Sequence, residues 1–100
     1  MRSQEERVLT LHPDPRKSGV RIRKATYEAM RRALLKVIPR RKEGVAFADL
    51  GALVRPHLAG SAFPEGASVT WYVVTVKQDL EARGRVERVP GARPQRVRRR

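Results

Sequence analysis

The chain has 100 residues, the size of one ordinary domain, and 40% of them are hydrophobic, a share that allows a folded core. Lys and Arg number 23 against 10 Asp and Glu, so the formal net charge is +13 and polyanionic partners are expected. The chain has no cysteine, which excludes disulfides, thiolate zinc sites and cysteine nucleophiles. No signal-peptide pattern and no apolar run of the ~20 residues needed to span a membrane is present, so we expect a soluble cytoplasmic protein.

Residues 1–23 are predicted to form an N-terminal arm with two short strands. RVLTL, residues 7–11, alternates apolar and polar side chains, and VRIR, residues 20–23, could pair back with it. Between them lies HPDPRKSG, whose two prolines and glycine interrupt both helices and strands. We therefore interpret this segment as a loop.

A first helix is predicted over residues 24–38, because apolar side chains recur there at the helical period. These side chains are Tyr27, Met30, Leu34, Val37 and Ile38. Pro39 ends the pattern, since the residue before a proline is pushed out of the helical conformation. Arg32, Lys36 and Arg40 follow one another at four-residue spacing on the opposite side. They could contact phosphates, although such a charged stripe is more often a solvated face.

The next segment predicts a loop, a short strand and a second helix. RRKEG is the loop, VAF is consistent with the strand, and the helix extends over residues 47–58. The apolar face of this helix is formed by Phe47, Leu50, Val54 and Leu58. Gly51 and Pro56 weaken the helix, so we expect a bend or a restart near Arg55–Pro56. Residues 59–68 are predicted to be a loop.

The segment TWYVVTVKQDLEARG could be a strand or a helix by its composition. As a helix over residues 68–83 it aligns Val69, Val73, Val76 and Leu80 on one face. Five or six β-branched residues oppose a helix by roughly 3 kcal/mol in total. Burial of each side chain in that apolar row contributes about 1.5–3 kcal/mol, so packing outweighs propensity. Ser68 is a suitable N-cap and Gly84 a suitable C-terminal stop, which also favours the helix.

The last segment predicts a two-stranded hairpin. Val86 and Val89 precede Pro90–Gly91, and proline followed by glycine suits the two central positions of a turn. Arg96, Val97 and Arg98 form the returning strand. The predicted order is therefore helix, short strand, helix, helix and hairpin, which makes the chain a small α+β protein.

The segment VTVKQDLEARGRVERVPG resembles the end of the recognition helix and the start of the wing in winged helix-turn-helix proteins, including the MarR- and PadR-like regulators. The shared residues are Leu80, Glu81, Arg83, Gly84, Val86 and Arg88. Together with KATYEAMRRALLKVIP and VAFADLGALVRPHL, this segment is also similar to small uncharacterised bacterial winged-helix proteins. The resemblance implies a winged-helix domain over residues 24–98, followed by a basic end at 99–100.

The resemblance also implies a nucleic-acid-binding surface, in which the third helix meets base edges and the wing contacts the backbone. The implied helix positions are Ser68, Thr70, Trp71, Thr75, Lys77 and Gln78, and the implied wing positions are Arg88, Arg93, Arg96 and Arg98. Asp79 and Glu81 lie on the same helix, and residues 44–80 carry two cations against three acids. We therefore expect the phosphate affinity to come mainly from the wing and the C-terminal arginines.

The single tryptophan, Trp71, could dock a partner, but packing against Phe63 and Pro64 is the more common role for such a residue. His12 and His57 have no carboxylate or serine at a catalytic spacing. The sequence contains no glycine-rich phosphate loop, zinc motif or nucleophile elbow. We therefore predict no enzyme activity, no metal and no cofactor.

Two functions remain as hypotheses. The first is a small winged-helix protein that binds nucleic acid, with DNA favoured over RNA, as a transcription regulator would. The second is an interaction module that docks an acidic protein, or a second copy of the chain as a homodimer, through the apolar and aromatic face of the third helix.

Overall fold

The computed structural model describes residues 6–100, so residues 1–5 of the predicted arm lie outside the described part. The described chain has three helices and two small antiparallel sheets, which confirms the predicted α+β class. In chain order the elements are β1 (Arg7–Leu9), β2 (Arg21–Arg23), α1 (Lys24–Val37), β3 (Val45–Ala46), a 3₁₀ turn (Phe47–Asp49), α2 (Leu50–Leu58), α3 (Val69–Ala82), β4 (Val86–Arg88) and β5 (Arg96–Arg99). No helix within residues 6–100 combines the length and the apolar character needed to cross a bilayer.

The core lies where α1 packs against α2 and α3. The predicted apolar stripe of α1 is confirmed, since Tyr27, Met30 and Leu34 are buried and Ile38 is buried just after the helix ends. The Ile38 N–H still donates to the Leu34 carbonyl at 2.9 Å, but Ile38 itself is extended, as expected for the residue before Pro39.

Helix α2 buries Leu50, Val54 and Leu58, as its sequence pattern predicts. It continues through Pro56 as one helix, so of the predicted bend or restart near Arg55–Pro56 the restart does not occur. The proline lies in the last turn, and that turn still closes because the Ala59 N–H donates to the Arg55 carbonyl at 3.3 Å.

Helix α3 has the boundaries that its capping residues predict. Its N-terminal cap is Ser68, whose Oγ accepts the Trp71 N–H at 3.1 Å. At the other end Gly84 has a φ of +76°, and the Arg85 N–H donates to the Leu80 carbonyl at 2.9 Å. This closing bond with a left-handed glycine is the Schellman arrangement. The row of Val69, Val73, Val76 and Leu80 is buried, so packing holds this β-branched segment in a helix.

The smaller sheet is formed by β1 and β2, which pair antiparallel as predicted, with Val8 opposite Ile22. Pairing extends beyond the strands, because the Thr10 N–H donates to the Val20 carbonyl at 2.8 Å. Ile22 is buried against the core, so the arm is packed on the helices through this residue.

The larger sheet has the order β3-β5-β4, and β5 is its central strand. The predicted hairpin is confirmed: the Ala92 N–H donates to the Val89 carbonyl at 3.2 Å, which places Pro90 and Gly91 at the centre of the turn. The short strand β3 pairs with the other edge of β5, where Val45 lies opposite Val97. The hairpin is thereby joined to the segment that connects α1 with α2.

Candidate nucleic-acid interface

The outward side of α3 is uncharged. Thr70 and Trp71 are exposed, and Thr75 and Gln78 are partly exposed. Val74 lies between them and is also partly exposed. These are four of the positions that the winged-helix resemblance places at nucleic acid, and they offer hydroxyls, an amide and an aromatic ring without a charge.

Another of the six predicted helix contacts, Lys77, is not on this surface. Its side chain is 2% exposed, and its Nζ donates to Glu81 Oε1 and to Gln95 Oε1, each at 3.0 Å. The ammonium also lies 5.0 Å from the centre of the Phe47 ring. The prediction that Lys77 is exposed is therefore wrong. The spacing along the helix indicates this burial, since Lys77 is four residues after the buried Val73 and so lies on the same face.

Burial lowers the pKa of the Lys77 ammonium below its ordinary value, although the hydrogen bond and the charge of Glu81 oppose that change. Glu81 has an 8% exposed side chain, and its second oxygen accepts Arg88 Nε at 3.2 Å. Its charge therefore lies between two cations and is directed away from the outward side of α3.

Asp79 is fully buried and joins three parts of the chain. Its carboxylate accepts the Leu11 N–H of the arm at 2.9 Å, the Tyr27 hydroxyl of α1, and Arg83 Nε at 2.9 and 3.0 Å. Burial, followed by the hydrogen bond to Asp79 and its charge, raises the pKa of Tyr27 to about 12. Sequence reasoning missed this role, because it placed Asp79 as a negative charge facing phosphates.

The arginines predicted in the wing are mostly engaged within the protein. Arg96 donates to the main-chain oxygens of residues 43 and 44 at 2.8 and 3.2 Å. Arg98 donates to Glu87 at 2.6 Å and to the main-chain oxygen of residue 42 at 2.8 Å. Arg88 contacts Glu81 through Nε, but 59% of its side chain is exposed. Only Arg93 in this set is exposed and has no ion-pair or hydrogen-bond partner for its side chain among residues 6–100.

The three cations predicted on α1 are divided between two places. Arg32 and Lys36 are exposed and line a groove of about 790 Å³ whose floor includes Ala29 and Ala33. Arg40 instead donates from Nη1 to the main-chain oxygen of Arg100 at 2.9 Å. Arg40 is also exposed, but this hydrogen bond directs it to the residue that follows β5.

Trp71 is 45% exposed, and its ring is nearly perpendicular to that of Tyr72, with 4.8 Å between centroids. The ring of Phe63 also packs on Tyr72, at 5.3 Å. The loop residue Phe63, which sequence reasoning assigned to Trp71, therefore meets the neighbouring aromatic residue. This contact fixes the long α2–α3 loop on α3 and leaves much of the indole open to solvent.

Within the described residues, no group of three or more His, Asp or Glu side chains could hold a metal ion. No curated protein and no solved structure is significantly similar to the chain. A family model described as a family of unknown function, DUF6958, matches residues 7–97. The chain therefore belongs to the DUF6958 family.

Proposed function

We propose that this protein is a small winged-helix protein that binds nucleic acid, with duplex DNA as its main target. The order α1, β3, α2, α3 and hairpin supports the winged-helix interpretation. So does the strand order β3-β5-β4, in which the strand after α1 pairs with the hairpin. The α2–α3 connection, residues 59–68, is longer than the usual turn of a helix-turn-helix, and the Phe63–Tyr72 contact fixes it.

The observation that carries the proposal is the inward direction of the acids on α3. Asp79 is fully buried beside Arg83, and Glu81 lies between Lys77 and Arg88. Neither carboxylate is therefore presented to a phosphate by the outward side of the helix. That side carries groups suited to base edges, because a glutamine amide can pair with adenine and threonine can contact a thymine methyl.

Phosphate affinity in this proposal comes from the exposed cations. Arg93 lies in the hairpin, and the half-exposed Arg88 can offer the terminal nitrogens that Glu81 does not use. Each phosphate neutralised contributes about −0.9 to the slope of log affinity against log salt. With a few such contacts we expect a slope of roughly −2 to −4, smaller than a count of the C-terminal arginines would give.

The test is a titration of duplex DNA into the protein over a salt series. Trp71 is the single tryptophan and lies on the outward side of α3, so its fluorescence reports contact with that side. Gln78→Ala should weaken binding and reduce discrimination between sequences, whereas Lys17→Gln, which removes a charge from the arm loop, should retain discrimination. No change in Trp71 fluorescence at low salt, or a slope of log affinity against log salt near zero, would rule out the proposal.

The alternative is a protein-docking or dimerisation module, and the exposure of Trp71 favours it. The indole is 45% exposed beside Val74 on an uncharged surface, which is a suitable centre for a protein interface. Sedimentation of the wild type and Trp71→Ala separates the two functions. A dimer that the substitution dissociates, together with no detectable DNA binding by the wild type, would favour docking over nucleic-acid binding.

A further inference from the structure

A second concave site lies at the other end of α3, away from the residues assigned to nucleic acid. It has a volume of about 410 Å³ and lies between β1, the first half of α1 and the turn after α3. Its lining residues are Val8, Tyr27, Glu28, Arg31, Arg83 and Arg85. Three arginine side chains from two distant parts of the chain therefore line one concave site.

Arg83 is held in a fixed orientation at this cavity. The buried Asp79 carboxylate accepts its Nε at 2.9 and 3.0 Å. Asp79 is held in turn by the Leu11 N–H and the Tyr27 hydroxyl. Asp79 accepts only Nε, and the Tyr27 side chain also interacts with this guanidinium. Because 40% of the Arg83 side chain is exposed, part of its terminal guanidinium remains accessible to other partners.

Arg85 is fixed through its main chain. Its N–H donates to the Leu80 carbonyl at 2.9 Å, and its own carbonyl accepts the Arg100 N–H at 3.1 Å. Within residues 6–100, no carboxylate pairs with its exposed side chain. The main chain is thus positioned while the guanidinium is available.

The third arginine at the cavity is Arg31, which lies on α1. Its Nη1 lies 3.9 Å from Glu28 Oε1, which is too far for a hydrogen bond, so the contact is a loose ion pair. Among residues 6–100, Glu28 is the one acid on the cavity wall, and Asp79 accepts Arg83 Nε. Three cations against these two acids leave an excess of positive charge at the cavity.

We propose that this cavity binds a phosphoryl group through Arg31, Arg83 and Arg85. Guanidinium groups bind phosphate oxygens in a bidentate manner, and several of them around one site favour a multiply charged anion over a single carboxylate. The site is open to solvent, so it has space for a larger group attached to the phosphate. Val8 and the ring of Tyr27 offer an apolar wall to such a group.

The phosphoryl group could belong to a free phosphorylated compound or to a nucleic-acid backbone. The probes are inorganic phosphate, a nucleoside 5′-monophosphate and duplex DNA, each titrated by calorimetry at about 0.15 M salt. Tighter binding of the monophosphate than of inorganic phosphate, without competition from DNA, identifies a free compound. Competition by DNA identifies the backbone as the source.

The variants are Arg31→Gln and Arg85→Gln, and Arg55→Gln is the control because it removes the same charge from an exposed position on α2. Each cavity variant should weaken binding of inorganic phosphate or the monophosphate by about tenfold, and the control by less than about twofold. Arg85→Lys should give an intermediate affinity, because it keeps the positive charge but loses the bidentate geometry of the guanidinium. Urea unfolding checks that each variant is folded.

Equal weakening by Arg55→Gln, or no saturable binding of inorganic phosphate and the monophosphate to the wild type, would overturn the proposal. Failure of this proposal can be distinguished from failure of the nucleic-acid proposal, because the cavity shares no residue with the set Thr70, Thr75, Gln78, Arg88 and Arg93. Loss of DNA binding in Gln78→Ala with intact phosphate binding would separate the two sites.

Discussion

Asp79 and Arg83 form an ion pair one turn apart at the end of α3, in which Arg83 Nε lies 2.9 Å from Asp79 Oδ1 and 3.0 Å from Oδ2. The carboxylate is completely buried, whereas 40% of the arginine side chain is exposed. The same carboxylate accepts hydrogen bonds from Leu11 and Tyr27. One acid therefore joins the arm, the first helix and the third helix.

We expect Asp79→Asn to lower the free energy of unfolding by about 2–3 kcal/mol. The cost stays below that of a fully buried broken pair, because Arg83 can regain water. The measurement is urea unfolding at pH 7, with Glu65→Gln on the exposed loop as the control that should change by less than about 0.5 kcal/mol. An Asp79→Asn protein as stable as the control would contradict the role given to this carboxylate.

The raised pKa of Tyr27 predicts a loss of stability in alkali. The folded pKa of about 12 lies above the ordinary value of 10.0, so the unfolded chain releases the proton first as the pH rises. The protonated Tyr27 makes its full contribution to the free energy of unfolding below about pH 10. This contribution, about 2–3 kcal/mol in total, is lost as the pH rises through about 12.

Tyr27→Phe should remove this pH dependence, although it also loses the hydrogen bond to Asp79 at neutral pH. Tyr72→Phe is the matched control and should retain it, because Tyr27 is unchanged. Urea unfolding between about pH 9 and pH 12 measures both variants. The same alkaline loss in wild type and Tyr27→Phe would disprove this assignment.

The buried Lys77 predicts that the free energy of unfolding increases with pH in the range below about pH 10. Burial lowers its folded pKa below the ordinary 10.5, so the unfolded chain binds the proton more strongly within that interval. The free energy of unfolding of the wild type should therefore rise, relative to Lys77→Met, as the pH increases toward about 10. Denaturant titrations of both proteins across that range provide the test, and a constant difference would contradict it.

Gly44 is predicted to be intolerant of a side chain. It has a φ of +63°, and a Cβ at this position would lie 2.2 Å from the Val97 carbonyl oxygen. Gly44→Ala should therefore destabilise the protein by more than about 2 kcal/mol. Gly51 in α2 has open space around it, so Gly51→Ala should stabilise by about 0.5–1 kcal/mol. Thermal unfolding of both variants checks the contrast, and similar shifts would be inconsistent with it.

Two arginines of the hairpin are expected to differ in their roles. Arg93→Ala should reduce the salt slope of DNA binding by about one and leave stability unchanged. Arg96→Ala loses hydrogen bonds to two main-chain oxygens and should lower stability by about 1–2 kcal/mol. Its effect on the salt slope should be small. The measurements are the salt slope of DNA binding and the free energy of unfolding for both variants. A smaller salt slope in Arg96→Ala together with a loss of stability in Arg93→Ala would contradict these roles.

The elements could be predicted because their signals are local. The apolar row of α3, the Ser68 cap and the stop at Gly84 lie within one segment, and burial of that row decides between helix and strand. The Pro90–Gly91 turn is likewise contained in four residues. The same kind of signal predicts a restart of α2 that does not occur, because the helix includes Pro56 in its last turn and the Ala59 N–H still donates to the Arg55 carbonyl.

The candidate site was harder to predict, because composition does not show which charges are paired. The resemblance predicts an exposed Lys77, but its side chain is buried, where it contacts Glu81, Gln95 and Phe47. Arg96 and Arg98 were expected at phosphates and instead hold main-chain oxygens of the α1–β3 loop. None of these partners is recognisable from the spacing of the cations along the chain.

The sequence by itself determined the three helices, the hairpin turn and the net charge of +13, since each follows from neighbouring residues or from counting. Only the tertiary structure decided where those charges act. Leu11 and Asp79 are 68 positions apart, and Arg98 and Lys42 are 56 apart, yet each pair is joined by a hydrogen bond. A charged side chain is buried or exposed according to such distant partners, because burial is favourable only when its hydrogen bonds are satisfied.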